Sequence, residues 1–154
     1  MTIERVRSFL AQHAADAEMI ELDRPSETGW LSARLAIAPA QIAKSLVLRI
    51  ADRYVLLMTC GDARLDNSKA KAVFQGKVRF LGAEEATVLT GHAPGGMCPF
   101  GLVSPLPVYC DVLLKRFDIV VTGGGATHSA VKIDPLCMAE ITGAAWVDVC
   151  EPPR

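Results

Sequence analysis

Apolar and polar positions alternate along this chain with two periods, and the switches between them predict short helices interleaved with strands. Two stretches, 45–50 and 54–59, are apolar almost throughout and are separated by the polar turn 51–53. This arrangement predicts an antiparallel hairpin in the middle of a sheet that is covered on both faces.

Helices are predicted where apolar residues recur every three or four positions behind a capping residue. They run from Thr2 to about Ala15, from Thr28 to near Ala38 and Pro39, from the cap Asn67 to Phe74, from Ala83 to about Leu89, from Asp111 to Leu114, and from Asp134 and Pro135 to Gly143. Further strands are predicted over 18–22, 78–81, 106–110, 117–122, 130–133 and 146–149. The pattern favours an α/β (α+β) fold with a mixed, mostly antiparallel sheet surrounded by short helices.

Composition and charge narrow the class of protein. The 154 residues are predicted to form one domain, 1–154, because no linker or repeat divides them. A hydrophobic share of 51% and a charged share of 21% are typical of a folded domain. The net charge of −1 argues against tight binding along DNA, which depends on many cations, and leaves room for a local basic patch.

The five cysteines are scattered, and no two of them form a Cys-x-x-Cys arrangement. They indicate neither a zinc site nor a disulfide framework, so we expect reduced thiols in a cytoplasmic protein. The chain starts with an amphipathic, charged segment rather than a signal peptide, and no apolar run has membrane-spanning length. We therefore expect no membrane partner and no metal.

The stretch 90–102 combines paired glycines with a proline on each side and few charges. Glycine reaches positive φ and lets a ligand approach the main chain, while proline fixes φ near −65°. Such a loop suits a site in which backbone N–H groups, including those of Gly95 and Gly96, meet a substrate. The alternative interpretation is a tight connection between two elements.

Two side chains are candidates for chemistry. Lys44 is the only charged residue between Arg34 and Arg49 and lies at the mouth of a predicted strand. A lysine there is usually only solvated, yet a cation at this edge could also meet a phosphate or polarise an ester carbonyl. His128 follows the glycines 123–125 on a loop of small residues, where catalytic and structural roles are equally good interpretations.

Other polar residues favour structural roles. Cys98 has no base among its immediate neighbours, which favours a pocket-lining role over that of a nucleophile. Asp62, Asp66 and Lys69 follow the hairpin and favour helix capping and a surface ion pair. The glycines 123–125 lack the spacing of a nucleotide-binding fingerprint, and no nucleophile elbow is present.

Three ordered stretches resemble the YbaK/EbsC family of aminoacyl-tRNA deacylases, which is related to the editing (insertion) domain of bacterial prolyl-tRNA synthetase. They are 41–46 (QIAKSL), 61–67 (GDARLDN) and 91–102 (GHAPGGMCPFGL). Stretches 107–109, 116–117 and 146–150 fit as well, so the likeness covers nearly the whole chain. The resemblance implies a compact, barrel-like α/β editing-domain fold and hydrolysis, without a metal, of the ester that joins a wrong amino acid to tRNA.

The resemblance also implies which residues form the site. The family's lysine falls on Lys44, its Gly-Gly-x-x-Pro loop on Gly95, Gly96 and Pro99, and its late glycine motif on 125–128. The expected catalytic residues are Lys44, Gly95, Gly96 and His128. The expected substrate-binding residues are Ile42, Ser45, Met97, Cys98, Pro99, Phe100, Gly125 and Ser129.

The leading hypothesis is trans-editing, without a cofactor, of a tRNA that carries a small wrong amino acid such as Ala or Cys. The tRNA would be tRNA-Pro or a similar one, and the expected partners are the aminoacyl-tRNA acceptor end and, transiently, a synthetase. Two alternatives stay open at this point. One is a non-catalytic acceptor-end binding module or synthetase accessory protein, and the other is a small-molecule hydrolase that uses the same loop.

Overall fold

The computed structural model describes residues 2–13 and 16–153, so the predicted end of the first helix at Ala15 lies outside the described residues. The helices are α1 (Thr2–His13), α2 (Thr28–Leu35), α3 (Asn67–Phe74), α4 (Ala83–Thr90) and α5 (Pro135–Thr142), with 3₁₀ turns at Pro39–Gln41 and Val112–Arg116. The strands are β1 (Glu18–Glu21), β2 (Ala43–Ile50), β3 (Arg53–Cys60), β4 (Val78–Phe80), β5 (Val108–Asp111), β6 (Val120–Gly123), β7 (Ser129–Ile133) and β8 (Ala145–Val147). None of these helices is long and apolar enough to cross a bilayer.

Local sequence sets where several elements begin. Asp66 caps α3 by accepting two backbone N–H groups of its first turn, so the cap lies one residue before the predicted Asn67. Asp111 and Asp134 cap the helical segments that follow them, as predicted. A carboxylate is well suited to this position because it satisfies N–H groups that have no partner inside the helix.

The two largest errors in the predicted boundaries each result from a backbone hydrogen bond. Helix α2 ends at Leu35 rather than near Ala38, since Ala36 takes a left-handed φ of 56° and its N–H bonds back into the last turn. Strand β6 begins at Val120 rather than at Phe117, whose N–H closes the preceding 3₁₀ turn instead.

The strands form two sheets, not the single sheet that was predicted. The larger has the order β4-β2-β3-β5-β8 and the smaller the order β1-β7-β6. Only the β3–β5 and β5–β8 pairings are parallel among the described strands, so the mostly antiparallel character is confirmed. Ile42, just before β2, bridges to Val121 of β6, and over residues 2–13 and 16–153 the two sheets do not close into a barrel.

The central hairpin β2–β3 is covered on both faces, as its apolar sequence predicts. On one face α1 and α5 pack against Leu56 and Met58. On the other face α3 packs through Phe74 against a cluster that includes Leu48 and Leu57. Because successive side chains of a strand point to opposite faces, neighbouring residues of β2 enter different cores.

Candidate functional site

A cleft of about 230 Å³ opens where β2 begins, and four parts of the chain meet there. They are the start of β2, the end of β6, the first turn of α2 and the 90–102 loop. The cleft is lined by Ser26, Glu27, Thr28, Leu31, Ile42, Ala43, Lys44, Ser45, Gly95, Met97, Thr122 and Gly123. Five of the predicted site residues are in this set: Ile42, Lys44, Ser45, Gly95 and Met97.

Lys44 and Ser45 border the cleft from opposite faces of β2. The Lys44 amine donates to the Ala63 carbonyl at 2.6 Å, beyond the end of β3. The Ser45 hydroxyl donates to the Met97 carbonyl at 3.3 Å and so holds the 90–102 loop against the strand. The cleft opens at this end of β2 because β4 pairs only with 48–50, and the bridge from Ile42 to Val121 is the contact that β6 makes there among the described residues.

Gly95 and Gly96 have different roles in the loop. Gly95 is exposed, has a φ of 85°, and its carbonyl accepts the Ser26 hydroxyl at 3.0 Å. Gly96 is buried, and its N–H already donates to the Ala93 carbonyl at 3.0 Å. The prediction that the Gly96 N–H meets the substrate is therefore wrong for this conformation of the loop.

Gly96 instead lets two loops touch. Its carbonyl accepts the N–H of Gly125 at 2.7 Å, and a Cβ on Gly96 would lie 2.5 Å from the Ala126 nitrogen. A Cβ on Gly123 would in turn lie 2.6 Å from the Met97 carbonyl oxygen. Only glycine fits at these two positions, because each backbone packs directly against the other.

Cys98, Pro99 and Phe100 do not line the cleft, which corrects their predicted substrate-binding role. All three are buried, and Cys98 and Phe100 belong to the core beneath the loop. Burial raises the pKa of the Cys98 thiol to about 12, so the reactive thiolate is negligible at neutral pH. The core thus uses these side chains to hold the loop from below.

His128, Gly125 and Ser129 also lie outside the cleft lining. His128 is exposed, and its Nδ1 lies 2.9 Å from the Thr127 hydroxyl. The Ser129 hydroxyl is buried and donates to the Ala126 carbonyl, which fixes the turn between β6 and β7. Gly125 and Ser129 shape the loop that supports Gly96, and the catalytic role expected of His128 stays a prediction.

The first turn of α2 contributes cleft residues that sequence reasoning missed. Glu27 caps this helix by accepting the N–H groups of Gly29 and Trp30 at 2.8 and 3.0 Å. These two backbone hydrogen bonds lower the pKa of the Glu27 carboxyl, so it is ionised at neutral pH. The sequence signal for Glu27 is an acidic residue immediately before a predicted helix. Its place in the cleft beside the 90–102 loop, however, depends on the tertiary fold.

Two of the three polar residues after β3, Asp66 and Lys69, have structural partners, as predicted. Asp66 caps α3, and the Lys69 amine forms an exposed ion pair with Asp148 at 3.1 Å. Over the described ranges, no three His, Cys, Asp or Glu side chains come together in a group that could hold a metal ion. The chemistry available in the cleft is therefore that of one amine, one carboxylate, four hydroxyls and the loop backbone.

The profile of the aminoacyl-tRNA editing domain family matches residues 29–141, which include most of the cleft. The chain belongs to this family. The editing-domain match covers β2, the 90–102 loop and the turn between β6 and β7, whereas the cleft residues Ser26, Glu27 and Thr28 lie just before it.

Individual relatives agree with this assignment. An uncharacterised Bacillus subtilis protein, YwhH, is 36% identical over 154 residues, which cover 98% of each chain. The proline–tRNA ligase of Bacillus licheniformis is 31% identical over 75% of this chain, which corresponds to only 21% of the ligase. A crystal structure described as that of a candidate trans-editing enzyme for prolyl-tRNA synthetase superposes with a TM-score of 0.90, at 29% identity and 98% coverage of both chains.

Proposed function

We propose that this editing domain hydrolyses the ester bond of mischarged aminoacyl-tRNA in trans, releasing a small amino acid such as Ala or Cys from tRNA-Pro or a similar tRNA. The observation that carries the proposal is the small cleft that Lys44 and Gly95 both line and whose lining includes no cysteine. Membership of the family and the likeness to a prolyl-tRNA synthetase segment support it.

The protein needs to lower the reaction barrier only modestly, because an aminoacyl ester is already activated. Water adds to the ester carbonyl carbon, and the bond from that carbon to the ribose oxygen then breaks. The neighbouring ribose hydroxyl carries a proton between the attacking water and the leaving oxygen. Lys44 holds the carbonyl oxygen or the terminal phosphate, and one donor to a developing oxyanion is worth on the order of 3 kcal/mol.

The size of the cleft supports a preference for small side chains. Leu31, Ile42 and Met97 supply its apolar lining. An apolar pocket separates side chains that differ by one methylene by only about 10- to 200-fold. Discrimination against a larger cognate amino acid therefore works best by steric exclusion, and the apolar side of this cleft is suited to that.

A basic surface at the far end of β2 supports an RNA substrate. Arg49 and Arg79 are directly opposite each other on β2 and β4, and Lys77 joins them around one surface depression. Like charges in this position destabilise a sheet unless an anion lies between them. None of the three forms an ion pair with an acid among the described residues. The surface lies about 16 Å along β2 from Lys44, within reach of a backbone whose 3′ end enters the cleft.

The decisive test is deacylation with substrate in excess over protein, across tRNAs charged with alanine, cysteine, serine and proline. We expect multiple turnovers with the small amino acids and slow or no release of proline from tRNA-Pro. Binding should be weak and should weaken further with salt, because the net charge is only −1. Tight binding of the acceptor end without release of any amino acid would favour the binding module instead.

A further inference from the structure

Glu27 is the one acidic residue that lines the cleft in the part of the chain the structure describes. Its only charged companion in that lining is Lys44. The cleft therefore offers one anion and one cation to whatever enters it. The proposed chemistry uses Lys44 and the loop backbone, and it gives the Glu27 carboxylate no role beyond capping α2.

The carboxylate of Glu27 is held in place and stays charged. Its Oε1 accepts the Gly29 N–H at 2.8 Å, and its Oε2 accepts the Trp30 N–H at 3.0 Å. Each carboxylate oxygen has two acceptor sites, so one site on each oxygen remains available for a ligand. The Arg24 guanidinium stacks over the Trp30 ring at 4.8 Å; its charge helps to lower the pKa of Glu27, but the two form no ion pair among the described contacts.

The substrate class of the proposed function carries one cation of its own close to the reacting bond. Every aminoacyl ester has an α-amino group, protonated or partly so at neutral pH, on the carbon next to the reacting carbonyl. Ester hydrolysis does not need that group, so a carboxylate that binds it acts on orientation and selection. An acylated α-nitrogen, as in peptidyl or formylaminoacyl esters, has no charge and is bulkier.

We propose that the Glu27 carboxylate binds the α-ammonium of the aminoacyl ester and thereby selects esters with a free amino group over esters with an acylated α-nitrogen. The inference rests on the proposed function and adds a specificity residue to the same cleft. The consequence is protection of peptidyl-tRNA: its ester is chemically similar to the editing substrate, but it offers Glu27 no cation.

The test compares two enzymes on two substrates. Wild type and Glu27→Gln are assayed on alanyl-tRNA and on N-acetylalanyl-tRNA under kcat/KM conditions. A hydrogen bond to a charged group is worth about 1.5–3 kcal/mol, so Glu27→Gln should lose about tenfold or more on alanyl-tRNA. N-acetylation should cost wild type a similar or larger factor and should cost Glu27→Gln clearly less, since the interaction is already absent.

A matched variant separates this effect from loss of the helix cap. Asp134→Asn removes the same kind of charge from the cap of α5, where Asp134 accepts the Leu136 N–H. We expect this variant to lose stability comparably and to keep the wild-type preference for the free amine. Equal sensitivity of wild type and Glu27→Gln to N-acetylation would overturn the proposal, as would an unchanged kcat/KM for Glu27→Gln on alanyl-tRNA.

A binding measurement keeps the inference apart from the proposed function. The probes are 3′-alanylamino-3′-deoxyadenosine, whose amide is not hydrolysed as the ester is, and its N-acetyl form. Preferential binding of the free amine by wild type, lost in Glu27→Gln, supports the role of Glu27 even if no tRNA is deacylated. Equal binding of both probes by both proteins, or binding of neither, contradicts it.

Discussion

The Lys44 amine donates to the carbonyl oxygen of Ala63 at 2.6 Å, which ties the first residues of β2 to the turn after β3. This hydrogen bond orders the ammonium of a residue that lines the cleft and is partly buried. A cation that is already ordered loses less conformational entropy when a substrate arrives. Lys44 therefore has a structural role, through its hydrogen bond to Ala63, in addition to supplying a positive charge.

We expect Lys44→Ala to lower deacylation by a factor on the order of 10²–10³, the cost of removing one stabilising donor from a developing oxyanion. Lys44→Arg should rescue poorly, because a planar guanidinium does not replace a compact ammonium. The exposed Lys71 on α3 gives the matched control, and Lys71→Ala should retain wild-type rates. A folded Lys44→Ala protein with full activity would remove Lys44 from the mechanism.

The two loop glycines should respond differently to substitution. Gly96→Ala or Gly96→Val should reduce the free energy of unfolding by about 1–3 kcal/mol or more, because the new Cβ would collide with the Ala126 backbone. A Gly96 whose N–H met the substrate would lose activity more than stability, and the buried contact reverses that order. Thermal or urea unfolding measures the difference.

Gly95→Ala should fold and lose activity. Its Cβ would lie 3.6 Å from the Thr127 methyl group, an ordinary contact, so the main cost is left-handed strain of about 1–2 kcal/mol. Gly143→Ala is the control, since Gly143 also has a positive φ, at 68°, with no atom near the new Cβ. If both variants lose stability equally and both keep full activity per folded molecule, the loop at Gly95 is only structural.

Cys98→Ala should keep most of the deacylation rate and the same amino-acid preference, because Cys98 lies in the core and not in the cleft. Its thiol has a pKa of about 12, so the nucleophilic form is scarce. The variant should lose on the order of 1 kcal/mol of stability from the small core cavity. A loss of activity approaching the order of 10⁶, which removal of a true nucleophile causes, would restore the cysteine mechanism. A chelator should leave the rate unchanged.

Local features of this fold are readable from the sequence, and contacts between distant segments are not. The apolar runs on either side of 51–53 predict the hairpin, and Asp134 followed by Pro135 predicts the start of α5. Both features are determined by residues that are neighbours in the chain. The family motifs bring Lys44 and Gly95 to one cleft. The hairpin and the helix start each depend on a few adjacent positions, whereas the common cleft of Lys44 and Gly95 was expected from the family resemblance.

The errors share a different physical origin. Cys98 and Phe100 follow the loop glycines directly, yet the fold turns their side chains into the core. Ser26 reaches the Gly95 carbonyl from 69 positions away in the chain, and it brings Glu27 to the cleft with it. No periodicity reports such a contact, because it depends on how α2 packs on the rest of the domain.

His92 closes the base of the same loop. Its Nε2 lies 2.7 Å from the Phe100 carbonyl oxygen and donates to it, which leaves Nδ1 as the unprotonated nitrogen. Nδ1 is buried and has no hydrogen-bond partner among the described atoms. Burial lowers the pKa of His92, and the nearby Arg5 charge lowers it further. The folded protein therefore holds this ring in its neutral form.

This arrangement predicts a loss of stability in mild acid. The unfolded chain binds a proton at His92 near pH 6.5, while the folded chain binds it only at lower pH because its pKa is lowered. Stability is thus full above about pH 6.5 and falls as the pH drops below it. His92→Gln keeps an N–H that can reach the Phe100 carbonyl and does not titrate, so it should flatten this part of the profile. Chemical denaturation between pH 5 and pH 8 measures the free energy of unfolding of both proteins. The other titrating groups are the same in both, so their contributions cancel in the difference. Parallel pH profiles would show that His92 is not responsible.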